Sequence, residues 1–170
     1  MAQREVLVVD YNPQWKATFE TEKHLLANIL GENAVKIDHI GSTAVPGLAA
    51  KPVIDILIEV TSLEALDAKS RAMEILGYQV KGENGIAGRR YFQKGEAVRS
   101  HHIHAFVQHD EHLFRHRAFV TYLIENPAIA QHYSQIKKSA AQQCDNDIIQ
   151  YMALKNDFIA HHEKLALLSC

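Results

Sequence analysis

The sequence predicts an α+β fold, a small mixed β-sheet with helices packed on it, followed by a helical C-terminal third. Two observations predict it. As far as Val107, short apolar runs bounded by Gly, Pro and Asn alternate with stretches of helical periodicity. From Asp110 onward the apolar spacing is helical. No repeat, low-complexity tract or linker divides the chain, and its 170 residues fit one domain, 1–170.

The elements follow in order. Residues 4–9 alternate weakly and predict a short first strand. Asn12-Pro13 predicts a helix start, with a capping side chain before a proline at the first helical position. Trp15, Phe19, Glu22 and Leu26 then share one helical row, and Gly31 ends the helix. Strands are predicted over 34–40 and 53–60. Thr61 with Glu64 reads as a capping box that opens a helix reaching Leu76 and stopping at Gly77. Short strands follow at 78–80, 90–93 and 98–107, with 83–88 as a loop and Lys94-Gly95 as a hairpin turn. Asp110 caps a helix that ends at Asn126, because Pro127 disfavours helical geometry in its predecessor. Pro127 begins the next helix, towards Cys144, and Asp145 or Asn146 caps a last one to Leu167.

Composition excludes several classes. Apolar residues make up 47% of the chain, ample for a core, and the net charge of −2 offers no bulk attraction to nucleic acid or anionic membrane. With no basic–aromatic stripe either, an RNA-binding role is the weakest reading. No apolar run approaches the ~20 residues of a membrane span, so no membrane partner is expected. The N-terminal MAQREVLVVDY runs into Asp10 without a small-residue cleavage site and reads as a strand, not a signal peptide. Cys144 and Cys170 lack metal-type spacing, so a cytoplasmic chain with free thiols is the expectation.

The run from His39 to Glu59, HIGSTAVPGLAAKPVIDILIE, carries the most information. It sets a Gly-Ser pair after one apolar strand and a lone Asp55 inside the next. A carboxylate among Val53, Ile54, Ile56, Leu57 and Ile58 loses solvation and needs a hydrogen-bond donor, a cation or a metal. Glycine lets backbone approach a phosphate closely, and the Ser42 and Thr43 hydroxyls can donate to its oxygens.

This Gly-Ser and Asp pattern resembles the signature of the nucleotidyltransferase superfamily, with its polymerase-β-like fold. The longer string GSTAVPGLAAKPVID closely resembles the GrpB family, also called UPF0157. The likeness runs from Tyr11, Pro13 and Trp15 through GRRYF (Gly88 to Phe92) and HHIHAF (His101 to Phe106) to Tyr151, Lys155 and Phe158. It implies a nucleotidyltransferase-like domain that binds a nucleotide or another phosphorylated small molecule, with metal-dependent nucleotidyl transfer as the expected reaction if the chain is an enzyme. GrpB-like domains also resemble a segment attached to dephospho-coenzyme A kinases. The alternative is therefore a non-catalytic module for a coenzyme A-related or regulatory ligand.

The sequence departs from the superfamily pattern of two strand carboxylates at i and i+2. Asp55 matches the first and is the candidate catalytic residue. Leu57 holds the second position, and Glu59 lies about 13 Å away at roughly 3.3 Å per residue. The usual arrangement of two ions roughly 4 Å apart therefore lacks its second carboxylate. His102 and His104 are the expected substitutes. They alternate onto one face with Cα atoms about 7 Å apart, and His101 falls on the other. If their strand neighbours that of Asp55, the three can form a two-histidine, one-carboxylate site with open positions for a divalent ion, suited to Mn, Fe or Zn better than Mg.

Several cations are candidates for binding the anionic ligand. Lys51 stands before the Asp strand, Arg90 (after Arg89) at a strand start, and Arg99 before the histidine strand. Arg115 shares a helical row with Phe119 and Tyr122, and Lys155 with Tyr151 and Phe158, which favours a polar pocket over solvent for both. His39 ends its strand beside Gly41-Ser42. His109, His112, His116, His161 and His162 read as surface residues.

Overall fold

The computed structural model describes residues 7–95, 98–143 and 148–168, and for 142–143, 148–155, 157 and 168 the backbone only. The order is α1 (Gln14–Leu30), β1 (Ala34–Ile40), β2 (Ile54–Val60), α2 (Leu63–Asp67), α3 (Ser70–Leu76), β3 (Tyr78–Val80), β4 (Arg89–Lys94), β5 (His101–Val107), α4 (Glu111–Glu125), α5 (Pro127–Gln143) and α6 (Ile148–Leu168). This is the expected α+β arrangement with a helical C-terminal third.

The five strands form one mixed sheet in the order β1-β2-β5-β4-β3. Only β2 and β5 are parallel; the other neighbours run antiparallel. The pairing places Ile40 opposite Asp55, Asp55 opposite His102, Leu57 opposite His104, and Tyr91 opposite His104.

Strand alternation splits the sheet into two faces. One face, with Ile37, Ile54, Ile56, Ile58, Phe92 and Ile103, is covered by Trp15, Phe19 and Leu26 of α1, Leu66 of α2 and Met73 of α3. The other, with Ile40, Leu57 and Phe106, packs on Leu113 of α4. A third cluster joins Val45 and Leu48, from the loop between β1 and β2, to Tyr122, Leu123, Ala130, Tyr133 and Ala166 of the C-terminal helices. Leu48 is wholly buried there, which contributes about 1.5–3 kcal/mol and anchors the loop by an apolar side chain.

Some local expectations need correction. Of the strand predicted at 4–9, residues 4–6 lie outside the described residues, and Val9 makes only an isolated antiparallel bridge to Ala50. The helix predicted from Thr61 to Leu76 is two helices, and Ser62 is the cap, its Oγ accepting from Ala65 N at 3.1 Å. The Thr61 amide is already committed to Asn33 O at 3.0 Å. The Ser70 hydroxyl donates to Asp67 O at 2.7 Å, a local bond that competes with the helical pattern at the break. The strand predicted from Val98 begins at His101. Asn12 does cap α1, accepting from Gln14 N at 2.9 Å, and Gly77 ends α3 at φ 110°. Asp145, Asn146 and both cysteines lie outside the described residues. Among the described residues, no helix is long and apolar enough to cross a membrane.

Candidate functional site at the β1, β2 and β5 junction

Asp55 stands at the start of β2, beside the end of β1 and the start of the parallel β5. Its register opposite His102 brings both predicted imidazoles to it. His102 Nδ1 lies 3.4 Å and His104 Nε2 3.7 Å from Asp55 Oδ1. Burial raises this carboxyl, but the two histidines outweigh burial and hold it well below the usual carboxylate range. Tyr91 flanks both imidazoles, with ring centroids 5.8 and 5.3 Å away. Behind His104 lies Arg89, with Nη1 3.4 Å from His104 Nδ1. Among the described residues, no three His, Cys, Asp or Glu side chains are arranged to hold a metal ion.

The signature loop leaves β1 through Gly41 and makes a 3-10 turn over Ser42–Ala44. Gly41 takes φ 72°, and a Cβ there would meet the Asp55 carboxylate. The buried Thr43 donates to Val53 O at 3.2 Å, and so receives the His39 Nε2 proton at 2.9 Å. His39 stacks on Phe19, on the sheet face away from Asp55, and burial lowers its pKa to about 4 despite the nearby Asp55 and Glu20. From α5, the buried Lys137 donates to the Ser42 hydroxyl, with Nζ 3.4 Å from Ala49 O and 4.3 Å above the Tyr133 ring. Ser134 accepts from Ala49 N at 2.9 Å, so α5 grips the loop at two points.

Of the remaining predicted site residues, few join this cluster. Arg90 lies on the opposite face and binds both oxygens of Asp67, at 2.8 and 3.2 Å. Arg99 donates to Gly95 O in the hairpin turn. Arg115 pairs with Glu163 at 3.3 Å. Lys51 stays in the loop leading into β2, and the Lys155 side chain lies outside the described residues. Leu57 is fully buried in the core, while Glu59 and Asp38 are both taken by Arg117 at 2.8 Å.

Of the histidines expected at the surface, His109 and His161 are exposed, while His112, His116 and His162 need correction. His112 stacks on Phe106 at 4.8 Å. His116 packs 5.5 Å from His104, and burial, then His104 and Arg115, lower its pKa to about 4. His162 bonds the Tyr122 hydroxyl at 2.9 Å. Each ring is drawn inward by an aromatic face or a hydroxyl that it packs on or bonds.

A family model described as "GrpB protein" matches residues 5–165 of this chain. The chain belongs to the GrpB family. The UPF0157 protein YqkA of Bacillus subtilis is 45% identical over 163 residues, covering 96% of this chain and 48% of that protein, so the chain spans about half that relative's length. The crystal structure of the conserved protein GrpB from Enterococcus faecalis superposes with a TM-score of 0.92 at 45% identity, over 96% of this chain and 98% of that one. A dephospho-CoA kinase of Mycolicibacterium paratuberculosis is 31% identical, over 91% of this chain and 44% of its own. The Cid1 poly(U) polymerase gives a TM-score of 0.46 at 11% identity, over 76% of this chain and 45% of its own, a likeness too slight to carry function.

Within this GrpB fold, Lys137 and the contact of Arg89 with the site are what sequence reasoning missed. Both had a signal. Lys137 follows Tyr133 by four on the apolar row of α5, the same pattern that drew attention to Arg115 and Lys155. Arg89 precedes Tyr91 by two and so shares its sheet face.

Proposed function

We propose that this GrpB-family chain binds a phosphorylated small molecule, a nucleotide foremost, across the Ser42–Ala44 turn and the Asp55 cluster. The observation that carries this reading is that Gly41, set against the Asp55 carboxylate with its two imidazoles, leads directly into Ser42, whose hydroxyl takes the Lys137 ammonium. Hydroxyl and ammonium suit phosphoryl oxygens. The carboxylate and imidazoles suit the ligand's hydroxyl or amine end, where the His102 imidazole, oriented through Nδ1 by Asp55, can take a proton. In a nucleotidyl transfer that proton would come from an acceptor hydroxyl as its oxygen bonds the α-phosphorus and pyrophosphate leaves.

A second reading is a binding module without catalysis. Leu57 in the core and Glu59 bound to Arg117 favour it, because the two-carboxylate set is absent. The dephospho-CoA kinase relative makes coenzyme A and its dephospho form the ligands to try beside the nucleotides.

Thermal unfolding against nucleotides, coenzyme A and dephospho-coenzyme A, with and without Mg, Mn or Zn, tests both. A ligand at ~100 times its Kd adds ~2.7 kcal/mol. The expected result is a shift with one phosphorylated ligand that is lost in both Asp55→Asn and Lys137→Met. Pyrophosphate release with that ligand would favour transfer; binding without turnover would favour the module. No shift with any of them would overturn the proposal.

A further inference from the structure

We infer that Arg89 fixes the proton of His104 and thereby keeps the Asp55–His102–His104 cluster from serving as a resident metal centre. Arg89 is 7% exposed and is held from three sides. Its Nε donates to Glu83 O at 3.1 Å, its Nη2 donates to Asn84 O at 2.7 Å, and its guanidinium lies 4.9 Å over the Tyr91 ring. So oriented, it presents Nη1 to His104 Nδ1 at 3.4 Å.

A guanidinium can only donate. Nδ1 must therefore accept, and the neutral His104 ring carries its proton on Nε2. That nitrogen faces Asp55 Oδ1, an acceptor, at 3.7 Å. The two ends of the ring thus demand the same tautomer.

A metal-bound histidine needs the reverse. Its Nε2 lone pair goes to the ion, and its Nδ1–H is given to a carboxylate, carbonyl or water behind it. Here two donors would then face each other across 3.4 Å. The three side chains have the identities of a metal site, but the group behind His104 has the wrong polarity for one. Arg89 is a positioning residue that turns the N–H side of the His104 imidazole towards Asp55.

Histidine nitrogen NMR on the wild-type chain reads the tautomer directly, with His104 assigned by loss of its signals in His104→Ala. The expected result is a protonated Nε2 and a bare Nδ1. Arg89→Gln then offers an amide oxygen that can accept Nδ1–H. It should tighten Co2+ binding, followed by visible absorption, by about tenfold or more over wild type. That gain should vanish when Asp55→Asn is added, and Arg89→Lys, which still donates, should stay at the wild-type level. A His104 proton on Nδ1 in the wild-type chain would overturn the inference. So would equal Co2+ affinity in wild type and Arg89→Gln. Neither measurement uses a nucleotide, so failure of the proposed ligand leaves this result intact.

Discussion

A β-carbon built on Gly41 would stand 2.6 Å from Asp55 Oδ2. The signature glycine and the site carboxylate are back to back. The backbone at Gly41, φ 72° and ψ −172°, is in addition a conformation that glycine alone adopts without strain. The glycine therefore clears room for Asp55. Gly41→Ala is expected to lose about 2–4 kcal/mol in urea unfolding, from backbone strain plus displacement of the carboxylate. A variant as stable as wild type would contradict this packing.

Stability should fall in two steps as pH drops. His39 and His116 titrate near pH 4 in the fold against an ordinary 6.5. Between these values the unfolded chain binds protons that the folded chain refuses, so their contribution is complete above 6.5 and is lost towards 4. At about 1.4 kcal/mol per pH unit, one such ring accounts for up to about 3 kcal/mol. Asp55 is lowered in the fold, so its contribution holds above the ordinary carboxylate range and is lost below it. Unfolding curves across pH should show a shallower upper step in His39→Gln and a shallower lower step in Asp55→Asn. An unchanged upper slope in His39→Gln would argue against a buried neutral ring.

The contact between α5 and the loop can be weakened by one atom. Ser134→Ala leaves the buried Ala49 amide without its acceptor, which should cost about 1–3 kcal/mol. Because Lys137 reaches Ser42 from the same helix, ligand binding should weaken along with stability. Loss of stability with unchanged binding would place this contact outside the site's function.

A carboxylate in place of Leu57 should disrupt the fold rather than build a metal site. Leu57→Asp sets a charge among Ile40, Phe106 and Leu113 in a fully buried position. The lost apolar contacts and the unpaired charge together should cost about 4 kcal/mol or more. Circular dichroism would show a strongly lowered Tm. A well-folded Leu57→Asp chain would mean that this strand face is more open than its packing indicates.

Much of this was legible in the chain because it depends on local periodicity. Period-two alternation put His102 and His104 on one face and His101 on the other. There His101 approaches Glu22 at 3.8 Å, while Tyr78 and Lys94 bond the same carboxylate at 2.8 and 2.7 Å. Capping at Asn12 and Asp110 and the stop at Gly77 were likewise local. The helix break near Asp67 was missed because a single serine hydroxyl bond competes there with good helical spacing.

By itself, the sequence determined the five strands of the sheet, which side chains share a face, and that an Asp in an apolar strand beside a Gly-Ser turn needs a polar partner. Only the tertiary structure decided that β2 and β5 are parallel neighbours, that Arg117 takes Glu59, that Lys137 crosses from α5 to Ser42, and that Arg89 stands behind His104. The reason is physical. Periodicity is set within a few residues by backbone geometry, whereas strand order and long-range pairing are set by which apolar faces cover one another and by which buried charges must then find partners.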